Sequence, residues 1–109
     1  MISVEIYKNR NEEYAGFKCS GHAGYAKRGK DIICAAMSML VINTINSIET
    51  LTDCTIEATS EEESGTIIVN FPNGLSKEAL LLMNSMILGI KEVVNGAGKS
   101  FVTLDFKEV

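Results

Sequence analysis

The sequence of 109 residues contains no tryptophan, only one proline and only one histidine. The three cysteines, Cys19, Cys34 and Cys54, are an odd number at spacings that match no common metal-binding pattern. We therefore expect reduced thiols rather than a disulfide framework, and neither a metal ion nor another cofactor. A chain of this length can bury a core without disulfides or metal ions, so a single domain over residues 1–109 is predicted.

Basic residues are the minority among the charged side chains. Ten Lys and Arg residues stand against fourteen Asp and Glu residues, which gives a net charge of −4. Nucleic-acid binding depends largely on the neutralisation of phosphates, so this balance argues against a dedicated nucleic-acid-binding protein. The exception is a local basic cluster of Lys27, Arg28 and Lys30.

Long uninterrupted hydrophobic runs are also scarce. Asn, Ser and Lys residues interrupt the apolar stretches before they reach the length of a membrane span, so no transmembrane helix is predicted. No signal-peptide pattern precedes Ile2. Together with the unpaired cysteines, these features predict a cytoplasmic protein without a membrane partner.

The hydrophobic periodicity predicts five strands and two helices in the order β-β-α-β-β-α-β. The strands are expected at 2–7, 14–20, 53–60, 66–71 and 100–107, and the helices at 32–51 and 77–95. Ser76 is expected to cap the second helix. The fold class is therefore predicted as α+β: a two-layer domain in which a mixed, mainly antiparallel five-stranded sheet carries two helices.

The same periodicity predicts which residues of the strands and of the first helix are buried. The predicted core faces of the strands are Ile2, Val4 and Ile6; Ala15, Phe17 and Cys19; Cys54, Ile56 and Ala58; Ile67, Val69 and Phe71; and Val102, Leu104 and Phe106. The first half of the first helix is apolar nearly all round, which predicts burial on more than one side or cover by a second subunit.

Residues 21–38 concentrate the chemically reactive side chains, because they include both His22 and Cys34. Asp31 precedes the first residues of helical spacing and is therefore expected to be the helix N-cap. Cys34 would then lie in the first helical turn, where the positive end of the helix dipole favours a thiolate.

Three glycines, Gly21, Gly24 and Gly29, allow the loop between His22 and Cys34 to turn back on itself. The imidazole would then act as a general base or ion-pair partner of the thiol, and backbone N–H groups at the helix start would face a developing oxyanion. This constellation predicts an activated cysteine. The alternative is a buried cysteine and a surface histidine that have no relation to each other.

Two polar residues could support the pair. Asp31 could orient His22 if its side chain turns away from the helix; as an N-cap, its charge would instead oppose the thiolate. Ser38 lies one turn beyond Cys34 on the same helix face, so its hydroxyl could bond the thiol or a substrate group. The sequence leaves both roles of Asp31 open.

The same stretch contains a match to the phosphate-binding pattern G-x-x-x-x-G-K, from Gly24 to Lys30. Asp31 occupies the position of the magnesium-binding Ser or Thr, and its charge would repel a phosphate. A zinc site built from the cysteines and the histidine has no common spacing. The basic cluster could contact RNA, but no aromatic platform accompanies it. The cysteine–histidine pair is therefore the favoured interpretation.

The segments Gly21-His22-Ala23-Gly24 and Asp31-Ile32-Ile33-Cys34-Ala35-Ala36-Met37-Ser38 resemble the ribosomal-processing cysteine protease family (Prp). The likeness extends over essentially the whole chain, including its length and the order of its elements. It implies that Cys34 and His22 are the catalytic pair and that Asp31 and Ser38 are supporting residues. It also implies a substrate loop that moves when a peptide binds; its residues are Gly21, Gly24, Lys27, Arg28, Gly29 and Lys30.

The resemblance further implies a small cytoplasmic endopeptidase, commonly a homodimer. Such an enzyme would remove the N-terminal extension of large-subunit ribosomal protein twenty-seven, cutting after an aromatic residue. The expected partner is thus that extension, and no direct nucleic-acid binding is required. The alternative from another class is a non-catalytic ribosome-assembly or RNA-binding module that uses the basic loop Lys27–Lys30.

Overall fold

A computed structural model describes residues 1–21, 30–61, 63–96 and 100–109, with the side chains of Lys30 and Asp31 outside this description. The elements are β1 (Ile2–Lys8), β2 (Tyr14–Ser20), α1 (Lys30–Leu51), β3 (Glu57–Glu61), β4 (Thr66–Asn70), α2 (Lys77–Asn95) and β5 (Val102–Glu108). The strands form one sheet in the order β3-β4-β2-β1-β5. β1 pairs with β5 in parallel, whereas the other three neighbouring pairs are antiparallel. The predicted element order and the mixed, mainly antiparallel sheet are confirmed.

Alternate strand residues form the core together with the buried faces of both helices. Ile2, Val4 and Ile6 of β1 are buried, as the alternation predicts. Phe17 of β2 packs near Phe71, with the ring centroids 6.1 Å apart. The strands therefore contribute one apolar face to a two-layer domain.

The other face of the sheet is polar. Glu5 of β1 forms an ion pair with Lys107 of β5, and the hydroxyl of Tyr7 donates a hydrogen bond of 2.9 Å to the Glu5 carboxylate. The hydrogen bond from Lys107 lowers the pKa of Glu5 below its usual value. Charged side chains that meet across neighbouring strands suit a face in contact with water.

Helix α2 begins as predicted. The hydroxyl of Ser76 accepts a hydrogen bond of 3.2 Å from the backbone N–H of Ala79, which satisfies one of the donors that a helix start leaves free. The buried residues of α2 recur at helical spacing and face the core; they are Ala79, Met83, Met86, Ile87 and Ile90.

Helix α1 is buried on one side only. Its core-facing residues are Ile33, Met37, Val41, Ile45 and Ile48. By length and composition alone, Ile32–Leu51 would suffice to cross a membrane, so the interrupting polar residues do not exclude a span as the sequence argument assumed. The buried side of α1 packs in the core against the sheet, and a core helix is apolar for that reason.

The two helices approach closely at Gly89 of α2. A Cβ atom at this position would lie 2.7 Å from Cδ2 of Leu40 in α1, which is closer than two carbon atoms can pack. Because Gly89 has no side chain, the Leu40 side chain fits against α2 and the two helices can pack close together.

Strand β3 differs from its prediction. It begins at Glu57 rather than near residue 53, and all five of its residues are exposed, including Ala58. Cys54 and Ile56 are half-buried in the segment that precedes the strand, where the Cys54 thiol lies 3.3 Å from the carbonyl oxygen of Gly74. Cys54 and Ile56 alternate with polar residues like a strand, but they belong to the segment before β3. Ala58 belongs to an outermost strand that the core does not reach.

Phe106 of β5 was predicted in the core but is 45% exposed. It lies near the end of an edge strand, where the amino groups of Lys8 and Lys91 each lie 5.6 Å from its ring centroid. The ring is thus covered by lysine side chains rather than by the apolar core.

Candidate active site

Cys34 is the fifth residue of α1, and its half-buried side chain packs against the core. Ser38 follows four positions later on the same helix face and is exposed. Both residues line a cavity of about 230 Å³ between the first half of α1 and the sheet. The structure therefore brings these two predicted site residues together.

The cavity beside Cys34, which we call the thiol pocket, has a largely apolar lining. Besides Cys34 and Ser38, it is lined by Ile2, Cys19, Gly21, Met37, Val41, Ser60, Glu61, Gly65, Thr66 and Ile67. Apolar walls with a few polar groups are typical of pockets that bind an apolar side chain. Such a side chain would lie beside Cys34, which is one of the wall residues.

Cys19 faces the same pocket from strand β2 but is 8% exposed. Burial, and to a smaller extent the electrostatic effect of the neighbouring Cys34, raises the pKa of its thiol to about 11. Since the thiolate is the reactive form, a thiol that stays neutral is a weak nucleophile. Cys19 is therefore a small apolar wall residue, as the sequence predicted.

Gly21 follows β2 with a φ of +82°, a conformation that side chains rarely adopt. A Cβ atom at this position would lie 2.3 Å from the carbonyl oxygen of Met1. Both constraints require glycine. Gly21 thus fixes the point at which the predicted substrate loop leaves the sheet, directly beside the thiol pocket.

The other predicted residues of this loop lie outside the described part of the chain: His22, Gly24, Lys27, Arg28 and Gly29. Of Lys30 and Asp31, only the helical backbone is described. The Cys34–His22 pair, the supporting role of Asp31 and the phosphate-binding alternative all depend on these residues. They stay predictions.

The prediction that Asp31 precedes the helix as its N-cap is wrong, because α1 begins at Lys30. The helix start was predicted from the spacing of apolar residues, and the polar Lys30 does not contribute to that spacing. The backbone of Asp31 is that of the second helical residue.

Cys34 in turn lies one residue beyond the first four of α1, not within the first turn. In an α-helix, only the first four N–H groups lack an acceptor within the helix. These four groups are counted from the residue before the helix: in α2 the N–H of Leu80, the fourth helical residue, already donates to the carbonyl of Ser76. Within α1, the donors available to an oxyanion are therefore those of residues 30–32 rather than the N–H group of Cys34.

No group of three His, Cys, Asp or Glu side chains converges as a metal site within the described ranges. The thiol of Cys54, the third cysteine, donates a hydrogen bond to the Gly74 carbonyl, and Cys54 is not among the pocket residues. The zinc-site alternative needed His22 and Asp31, whose side chains lie outside these ranges.

Sequence reasoning missed the pocket walls. Ile2 and Ile67 were expected only as core-facing residues of their strands, and Val41 only as one of the apolar residues of the first helix. Their shared position depends on the pairing of β4 with β3, in which Ser60 lies opposite Ile67, and on the passage of α1 over the sheet. No pattern along the chain carries that information.

Comparison with known proteins gives the same family by two routes. The profile of the family named cysteine protease Prp matches residues 1–101. A ribosomal processing cysteine protease Prp from Bacillus subtilis (strain 168) is 27% identical over 97 residues, which cover 85% of this chain and 87% of that protein. A protein of the same name from Staphylococcus aureus (strain Mu50 / ATCC 700699) is 25% identical over 93 residues, which cover 85% and 88%.

Solved structures share the fold. The crystal structure of an essential ribosomal processing protease Prp from S. aureus in complex with a substrate peptide gives a TM-score of 0.90 at 22% identity, and the match covers 98% of this chain and 100% of that one. The structure of SMU.848 from Streptococcus mutans gives a TM-score of 0.88 at 26% identity, with 100% and 99% covered. Since the family profile spans nearly the whole sequence, this chain belongs to the cysteine protease Prp family and is a cysteine protease.

Proposed function

We propose that the protein is an endopeptidase that removes the N-terminal extension of large-subunit ribosomal protein twenty-seven. Cys34 serves as the nucleophile and His22 as the general base. The observation that carries the proposal is the position of Cys34 beside a largely apolar pocket, where a substrate side chain can be held next to the thiol. Of the other two thiols, Cys19 has a raised pKa and Cys54 lies outside the pocket.

The proposed reaction has two steps. His22 takes the thiol proton as Cys34 attacks the scissile carbonyl, and the negative charge that forms on the carbonyl oxygen is stabilised by N–H groups of residues 30–32. The imidazolium then gives its proton to the leaving amine, which leaves a thioester on Cys34. Water, deprotonated by His22, attacks the thioester and releases the carboxylate product and the free thiol.

The substrate is assigned from the family and from the pocket. The B. subtilis relative is named a ribosomal processing protease, and S. aureus Prp has been crystallised both with a substrate peptide and with a covalently linked product peptide. The walls formed by Met37, Val41 and Ile67 suit a large apolar side chain. We place the aromatic residue that precedes the scissile bond in this pocket.

A homodimer in the cytoplasm completes the proposal. Ile32, Met39 and Ile42 of α1 are 73%, 66% and 46% exposed, and their spacing places them along one flank of the helix. A row of large apolar side chains on a surface supports a protein contact, here with a second copy. Ribosomal proteins are assembled in the cytoplasm, where the thiol of Cys34 stays reduced.

The test is a cleavage assay with two substrates. The purified protein is incubated with the extended ribosomal protein and with its mature form, and the products are measured by mass spectrometry. We expect one cut after an aromatic residue in the extended form and no change in the mature form. An intact extended protein, together with binding to ribosomal RNA through Lys27–Lys30, would instead favour the non-catalytic assembly module.

A further inference from the structure

The edge strand β3 ends at the thiol pocket. It is the outermost strand of the sheet and pairs only with β4 among the described strands. All five residues of Glu57–Glu61 are exposed, and the last two, Ser60 and Glu61, line the pocket. A free strand edge presents a row of backbone N–H and C=O groups that an extended peptide can join.

The opposite edge of the sheet offers a contrast. β5 occupies that edge and contributes no residue to the thiol pocket. Of the two edges that the described strands leave, only that of β3 leads to Cys34. A peptide bound along β3 would thus reach the candidate nucleophile without leaving the surface of the protein.

The charges on β3 indicate which extended chain it accepts. Glu57 and Glu61 lie four positions apart and therefore on the same face of the strand. Neither forms an ion pair with another side chain in the described part of the protein. If a second copy of β3 paired antiparallel in full register, Glu57 would lie opposite Glu61 twice, and like charges in that position are destabilising.

We propose that the substrate peptide pairs in an extended conformation with the free edge of β3, and that Glu57 and Glu61 favour a basic residue in this segment. The inference rests on the proposed protease function. Five strand residues span about 17 Å, so the paired segment is about five residues long and extends from the thiol pocket away from the scissile bond. The aromatic residue then enters the thiol pocket, and the paired segment fixes the peptide's direction and register.

Backbone methylation tests the pairing. Synthetic peptides of the proposed extension carry one N-methyl group at a time, moved residue by residue away from the scissile bond. Because alternate N–H groups of a strand point toward its partner, kcat/KM should fall about three- to tenfold at every second position of the paired segment and little at the positions between. Equal effects at successive positions, or none, would overturn the pairing. Failure to cleave the unmethylated peptide would instead overturn the proposed substrate.

The charge preference has its own test. The double variant Glu57→Gln/Glu61→Gln is compared with the parent on two peptides, one with lysine and one with norleucine in the paired segment. We expect the ratio of kcat/KM for the lysine peptide to that for the norleucine peptide to fall about two- to fivefold in the variant. Glu63→Gln, in the turn after β3, is the matched control and should change neither value. An equal loss on both peptides would contradict the role of the two carboxylates.

Discussion

Cys34 and Cys19 line the same pocket, the first from helix α1 and the second from strand β2. Their environments differ: Cys34 is half-buried beside the exposed Ser38, whereas Cys19 belongs to the buried core. Two thiols in one cavity provide an internal comparison, because substitution of each has a different expected consequence for chemistry and for stability.

Substitution of the cysteines should separate catalysis from packing. Cys34→Ala removes the proposed nucleophile, so cleavage should be abolished while the melting temperature stays near that of the parent. Cys34→Ser should be nearly as inactive, since a hydroxyl ionises far less readily than a thiol. Cys19→Ala should keep its activity but lose about 1 kcal/mol of unfolding free energy, because it leaves a small cavity in the core. Turnover by Cys34→Ala would contradict the nucleophile assignment.

Alkaline pH should destabilise the fold through Cys19. Its pKa is raised from 9.0 to about 11 in the folded protein, so the fold favours the neutral thiol. The stability linked to this group is fully present below pH 9 and is lost as the pH rises through about 11, a change of roughly 2–3 kcal/mol. Chemical denaturation from pH 8 to 11 measures it. The difference in unfolding free energy between parent and Cys19→Ala should shrink or reverse over this range; a constant difference would contradict the linkage.

Asp31 and Ser38 should affect the rate to different extents. Asp31→Asn keeps the shape of the side chain but removes its charge, so we expect a slower single-turnover rate and a loss of only about 0.3–1 kcal/mol from the dipole interaction. Ser38→Ala removes one hydroxyl from the same helix face and should slow cleavage less than Asp31→Asn does. Rates and melting temperatures of both variants are the measurement. Cleavage by Asp31→Asn at the parent rate would leave a Cys34–His22 pair without a third member.

Two glycines with similar backbone conformations form a matched pair. Gly21 and Gly74 have φ values of +82° and +73°, but a Cβ atom at Gly74 meets nothing within 4 Å, whereas one at Gly21 lies 2.3 Å from the Met1 carbonyl oxygen. Gly74→Ala should cost about 1 kcal/mol through backbone strain alone. Gly21→Ala should cost more and should also lower activity, because the start of the loop must move. Equal losses of unfolding free energy would show that the contact with Met1 is unimportant.

Local patterns in the sequence predicted most of the architecture. The alternation of Ile2, Val4 and Ile6 and the cap at Ser76 depend on neighbours a few residues away, and both are found in the structure. Ala58 was placed wrongly for a physical reason. Alternation records how apolar a residue is, but not whether its strand lies in the middle of a sheet or at its edge.

The candidate site could be predicted only in its helical part. Cys34 and Ser38 share a face because helical spacing places them there, and the structure brings both into one pocket. The start of α1 was predicted two residues late, because Lys30 carries no apolar signal. The contribution of Ser60 and Ile67 follows from strand pairing over long sequence distances, which no local pattern records.

The parallel pairing of β1 with β5 has a consequence for synthesis of the chain. Val102 lies beside Ile2, 100 positions away, so the sheet gains strand β5 only when residues 102–108 have been made. Contacts between such distant residues form slowly, since a long loop must close before they are gained. Until then the outer edge of β1 stays unpaired, and the backbone N–H of Ile2 lacks the carbonyl of Phe101 that accepts its hydrogen bond. Because Ile2 is also a wall of the thiol pocket, the pocket is completed only after residues 101–108 have left the ribosome and paired with β1.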